Sequence, residues 1–361
     1  MRASRLTLTI ATSLVALTAL AGCAANEGGS SSVTTSSLTG TLNGAGSSAQ
    51  GAAQEAWIAG FQVSNPGVTI NYDPSGSGAG RKAFISGGAQ FAGSDSALSD
   101  DELAAGFALC AAGTSAIDIP VYVSPIAVVF NVPGVTELNL DADTLGKIFA
   151  GAITTWNDPA IVALNPDAKL PAANISAVHR SDDSGTTKNF TDYLSKAAPE
   201  AWTNKADGNW PLQNGEGANG TSGMIDAVTN GTNTIGYADL SKAGKLGVAN
   251  IKVGDTFVAP NAVGAANALN DAELVSGRAD NDLAFKLNRT TTNAEVYPIV
   301  LVSYLIACQQ YQDPTIGALV NAFASYLVSA DGQQVAASAA GSAALTGDVE
   351  AKAAAAAASI K

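Results

Sequence analysis

The sequence predicts an α/β protein built in two lobes, and three observations carry that expectation. Segments of helical and strand-like periodicity alternate along the chain, which implies α/β lobes with largely parallel strands. Two long β-rich apolar runs, Ile117 to Val132 and Val296 to Ala307, lie about half a chain apart and read as strands that cross between the lobes. A length of 361 residues, 47% of them apolar, is enough for a sizeable core and suggests about two domains.

The first residues read as a leader. Arg2 and Arg5 precede a mostly apolar run from Leu6 to Leu20 and then small residues, the three-part layout of an export signal. A membrane span needs about 20 apolar residues, and the run stops short of that. It ends at Leu20, Ala21, Gly22 and Cys23, a tetrad that resembles the lipobox of bacterial lipoproteins. That likeness implies that residues 1–22 are removed and that Cys23 is acylated, anchoring an extracytoplasmic protein to the cell membrane by lipid alone. An ordinary secretory signal with a chance cysteine is the competing reading. Residues 23–37, with Ser, Gly and Thr prominent, read as a flexible tether.

Leu38 to Leu42 reads as a short strand and Asn43 to Ser48 as a loop. Ala53, Trp57, Gly60 and Phe61 share one face at helical spacing, and Asn65, Pro66 and Gly67 stop that helix. Val68, Ile70 and Tyr72 alternate with polar residues as in a strand. The glycine-rich stretch Asp73 to Gly80 leads into a helix around Arg81 to Ser86. Ser99 and Glu102 have capping-box spacing, predicting a helix to about Leu109. Beyond the first long run, Thr144 to Phe149 reads as a helix and Ile175 to Arg180 as a strand. The loop Ser181 to Gly185 then opens a helix marked by Phe190, Tyr193 and Leu194. The Ala-rich end from Gln333 to Lys361 is helical by propensity.

A formal charge of −13 argues against nucleic acid and anionic membrane faces as partners, and loss of Arg2 and Arg5 makes the balance more acidic still. With Cys23 lipidated, Cys110 and Cys308 remain as a pair in an oxidising compartment, and a disulfide between them is expected. Two separately buried thiols are the alternative, decided by whether their Cα atoms come within about 7 Å. One histidine, His179, and no Cys or His cluster predict no metal site and no cofactor.

Three polar loops join a predicted strand to a predicted helix: Gly44 to Ala49 (GAGSSA), Ser75 to Gly80 (SGSGAG) and Ser181 to Thr187 (SDDSGTT). A helix N-terminus leaves four N–H groups unpaired and carries about half a positive charge, which suits a small oxyanion. Glycine lets the backbone approach, and Ser or Thr adds a donor that reorients. Each loop alone reads more readily as a capped turn. No serine has nucleophile-elbow spacing, and neither a P-loop nor a dinucleotide fingerprint is completed. No catalytic residue is therefore assigned.

With their flanks, the loops resemble the phosphate-binding proteins of phosphate-specific ABC transporters, the PstS-type branch of the periplasmic-binding-protein fold. The matching stretches are TLNGAGSSAQ at 41–50, INYDPSGSGAG at 70–80, FAGSDSALSDDEL at 91–103, FNVPGV at 130–135, GKIFAGAITTWNDPAIVALNP at 146–166 and VHRSDDSGTTKNFTDYLSK at 178–196. The resemblance implies a type II-like, two-lobed fold with the ligand in the interlobe cleft. Residues 38–125 and 301–361 would form lobe I, and 126–300 lobe II. It implies a monomeric receptor, not an enzyme, that binds inorganic phosphate and delivers it to the permease subunits of an importer.

The resemblance also assigns ligand residues. Ser47, Ser48 and Ala49 would donate backbone N–H and hydroxyl groups, and Ser77 a hydroxyl. Asp95 would be an acidic ligand, with Arg180, Asp182, Ser184, Gly185 and Thr186 in the last binding loop. Ala49 stands where relatives often carry an aromatic residue, and Asp183 where they carry glycine. Arg180 is the one cation of this set and can give two charge-assisted bonds, with Asp182 holding its orientation. Asp95 can accept the proton that phosphate keeps near neutral pH, which sulfate lacks. The alternatives are a receptor for another oxyanion such as sulfate or molybdate, a secreted phosphatase-like hydrolase, and a sensory or adhesive lipoprotein.

Overall fold

The computed structural model describes residues 37–361. The proposed leader and Cys23 lie outside the described residues, as does the tether up to residue 36. Among the described residues no helix is long and apolar enough to cross a membrane.

The two apolar runs do form strands, Ala116–Asn131 and Val300–Cys308, and both are buried along almost their whole length. Burial on both faces explains why they read as continuous apolar runs and not as alternation. They anchor one mixed sheet, in the spatial order Val68–Asp73, Gly40–Gly46, Phe91–Ser94, Val300–Cys308, Ala116–Asn131, Thr234–Asp239, Ser176–Arg180 and Glu216–Ala218. The outer strands pair in parallel. The central pairs are antiparallel, which corrects the expectation of largely parallel strands. The reason is topological, because one long strand carries the chain out and the other carries it back.

The longer strand changes partner midway. From Ala116 to Pro125 it pairs with Val300–Cys308, and from Ile126 to Asn131 with Thr234–Asp239. At the change, the Ile126 amide donates to the Ile299 carbonyl and the Tyr297 hydroxyl donates to the Ile126 carbonyl.

Helices follow the predicted faces. Gly51–Ser64 buries Ala53, Trp57 and Phe61, and Trp57 Nε1 donates to the Gly332 carbonyl at 2.7 Å. The capping box at Ser99 and Glu102 forms, yet the helix spans only Asp100–Ala104 instead of reaching Leu109. Gly106, at φ +78°, takes a left-handed conformation that a helix cannot continue through. The C-terminal segment is two helices, Ala330–Ala340 and Gly347–Ala358. Between them, the Ala343 amide bonds the Val123 carbonyl of the long strand, a tertiary contact that propensity does not report. Cys110 and Cys308 form the expected disulfide, with their Cα atoms 5.2 Å apart.

Candidate functional site

All three polar loops join strands to helices. Gly40–Gly46 leads through Ser47 to Gln50 into Gly51–Ser64, Val68–Asp73 leads into Ser77–Ser86, and Ser176–Arg180 leads into Gly185–Ala197. The middle helix starts earlier than predicted because Gly76 takes φ +101° as its N-cap. Side-chain bonds to local amides shape the other two joints, within the loop at the first and as an N-cap at the last. Ser47 Oγ accepts from the amides of Ala49 and Gln50, and Ser184 Oγ accepts from Thr187 at 3.1 Å.

The loops meet in a closed circuit of polar contacts. Ser48 Oγ lies 3.0 Å from Thr221 Oγ1 and accepts the Thr221 amide. The adjoining Gly220 amide donates to Asp182 Oδ1 at 3.0 Å. Arg180 donates to the same carboxylate through Nε at 2.7 Å and through Nη2. Gly76 sits against Asp182, where a Cβ would come within 2.5 Å of Oδ2, and its amide donates to the Gly46 carbonyl. Ser77 Oγ accepts the Asp95 amide at 3.1 Å. Thr186 Oγ1 completes the circuit by donating to Asp95 Oδ2 at 2.9 Å.

Electrostatics inside the circuit are settled by pairing. Arg180 is 2% exposed and Asp95 3%. Burial pushes the Asp182 carboxyl up, but the bonds and charge of Arg180, with the Gly220 amide, outweigh it and hold the group below the usual carboxylate range. Tyr237 accepts the Arg180 amide and contacts Thr187 Oγ1 at 2.8 Å. Burial raises that phenol to about 12, so it keeps its proton. Tyr72, whose hydroxyl donates to the Ser47 carbonyl, is raised well above its ordinary value by burial and then by the charges of Asp95 and Asp73.

Residues 31–331 match the PBP superfamily domain. The phosphate-binding protein PstS 3 of Mycobacterium tuberculosis is 40% identical over 306 residues, covering 80% of this chain and 79% of that protein. The chain belongs to the PstS family. Solved structures share its fold. A high-affinity periplasmic phosphate-binding protein with phosphate bound matches at a TM-score of 0.68 and 24% identity, over 86% of this chain and 92% of that one. A phosphate-binding protein from Stenotrophomonas maltophilia matches at 0.64 and 20%, over 88% and 94%.

In this PstS-family chain the ten residues singled out from sequence all lie on or against the circuit, although not all face it with the group expected. The Ala49 amide is directed to Ser47 Oγ, so this residue packs and does not present its N–H freely. Asp183 stays on the rim, 3.9 Å from Arg81 Nη2 and 3.6 Å from Lys82 Nζ, while its carbonyl accepts the Gly78 amide. Sequence reasoning missed Gly220 and Thr221, although GANGTSG at 217–223 has the composition of the other loops and joins Glu216–Ala218 to Gly220–Asn230. It also missed Ser303, which donates to Asp95 Oδ1 at 2.7 Å and receives Gln50 Nε2 at 2.6 Å. A serine inside a fully buried strand must find a partner, and that was the available signal. Asn189 was missed as well; its Nδ2 donates to the Asp95 carbonyl at 2.6 Å.

Proposed function

We propose that this chain captures inorganic phosphate between its lobes and delivers it to the membrane permease subunits of a phosphate ABC importer. The observation that carries the reading is Asp95. It is a buried carboxylate that accepts from the Thr186 hydroxyl at the start of a helix and from the Ser303 hydroxyl, where a bare anion site would have only donors. A phosphate that keeps a proton can donate it to this acceptor, whereas sulfate has no proton to give it. Ser47, Ser48, Ala49, Ser77, Asp95, Arg180, Asp182, Ser184, Gly185 and Thr186 form the proposed binding set, with Ala49 contributing by packing. PstS-family membership supports the same ligand.

The lobes are proposed to be 38–125 with 301–361, and 126–300. The change of strand partner between Pro125 and Ile126 supports that division. The chain acts as a monomeric receptor and not a catalyst: Ser47 accepts amides of its own loop, Ser184 caps its helix, and His179 turns Nδ1 to the Arg180 carbonyl and stacks on Trp210. Acylation at Cys23 would hold it on the outer side of the cell membrane. The test is thermal denaturation with added anions. Phosphate at 100 times its dissociation constant should add about 2.7 kcal/mol to stability, and equimolar sulfate should add almost nothing. Equal stabilisation by both anions would reassign the chain as a general oxyanion receptor.

A further inference from the structure

Behind Asp95 the seam between the proposed lobes holds a second space, a cavity of about 410 Å³. Asp95 and Tyr304 line it from one side, and Lys188, Asn189, Arg278 and Arg289 from the other. Most of its charges are spent. Arg289 and Lys196 both bind Asp192, at 2.9 and 2.8 Å, and Arg278 binds Asp282 and Asp118. The Asp95 carboxylate accepts from Ser303 and Thr186.

Lys188 differs from these. It is half-buried, and among the described residues no hydrogen bond or ion pair reaches its ammonium group. Burial lowers its pKa, and the charge of Arg81 lowers it further, against the opposing pull of Glu102, Asp183 and Asp207. A part-desolvated ammonium that no carboxylate touches directly carries a cost that a mobile anion removes. The placement matters on a chain of net charge −13, whose summed charge opposes an approaching anion at low salt.

Asp95 belongs both to the lining of this cavity and to the polar circuit, and Thr186 Oγ1 and Asn189 Nδ2 bond to it from the other proposed lobe. Parting the proposed lobes would break both bonds and open the cavity toward the circuit. We infer that the cavity is an anion subsite through which an inorganic oxyanion reaches the circuit, and that Lys188 steers it there. The inference rests on the capture of phosphate proposed above.

The test is the rate of association of radiolabelled inorganic phosphate with the ligand-stripped chain, by rapid mixing, at about 0.01 M and about 1 M salt, where the Debye length is roughly 30 Å and 3 Å. Lys188→Gln should slow association about three- to tenfold at low salt. Dissociation should change little, and the difference from wild type should close at high salt. Lys188→Arg, which keeps the charge, should retain the wild-type rate, as should Lys245→Gln at an exposed position in another part of the chain. Three results would overturn the inference: association unchanged in Lys188→Gln, an effect confined to dissociation, or equal slowing in Lys188→Gln and Lys188→Arg. Failure of the wild-type chain to bind phosphate would instead sink the functional reading itself.

Discussion

At Asp95 the Thr186 and Ser303 hydroxyls each occupy one position on a different carboxylate oxygen, and a carboxylate offers about four such positions. Acceptor capacity is therefore left for a ligand proton. Asp95→Asn keeps an acceptor oxygen but removes the charge and can turn an amide donor toward an unprotonated anion. Titration of the variant should show phosphate affinity falling modestly and sulfate affinity rising. An unchanged ratio of the two would make Asp95 a structural residue. Asp239, at the end of the strand beside the crossing, behaves differently. Its carboxyl is raised to about 6 by burial, although Ser241, Ser124 and Tyr122 pull it back. Its unfolded value is about 3.9, so between about pH 4 and 6 the native chain binds more protons than the unfolded chain. Its contribution to stability therefore falls as pH rises through that window, by at most about 3 kcal/mol. Asp239→Asn should lack this slope, gaining on wild type between pH 4 and pH 7 in denaturant melts. Parallel curves would show that the group does not titrate in that window.

At the scale of elements, the site is a set of helix starts brought edge to edge. Gly185 opens its helix with so little room that a Cβ there would come within 2.5 Å of Ser77 Oγ and 2.7 Å of Asp95 Cβ. Those neighbours fall in the opposite lobe of the proposed division, so Gly185→Ala should obstruct the closed arrangement and leave an open one unharmed. Phosphate affinity should drop at least about tenfold, the effect of some 1.4 kcal/mol, while the melting temperature of the ligand-free chain stays near wild type. A large loss of ligand-free stability would place the clash within a lobe's own packing. The strand-to-helix joints were legible in sequence because Gly and Ser clusters punctuate two different periodicities, and the Arg180 loop because its flanks resemble a family. Other features were not legible, since they arise from contacts across the fold. Thr221 matters because it meets Ser48, 173 residues away, and Ser303 because it meets Asp95, 208 residues away. The short helix after Ser99 was misjudged for a local reason, a glycine in the left-handed region that a capping box cannot foretell.

Across the whole molecule, the crossing strands set what can move. Antiparallel pairing ties Ala116 to Pro125 to one partner strand and Ile126 to Asn131 to another, so bending is expected where the strand changes partner if the proposed lobes divide there. The bonds linking Asp95 to Thr186, Ser48 to Thr221 and Gly78 to Asp183 join residues of the two proposed lobes, as a closed arrangement would. A bound anion that touches both sides would favour that arrangement, and an importer could read closure as the sign of a loaded receptor. The acidic surface does not oppose this, because at physiological salt charges more than about 8 Å away are largely screened and donors within the cleft act at contact distance. The central claim is that the circuit holds one phosphate ion in preference to its nearest isostere. Calorimetric titration of the ligand-stripped chain with inorganic phosphate and, separately, with sulfate tests it most directly. The account predicts saturable binding of one phosphate per chain and much weaker binding of sulfate; absent phosphate binding, or equal affinities for the two anions, would contradict it.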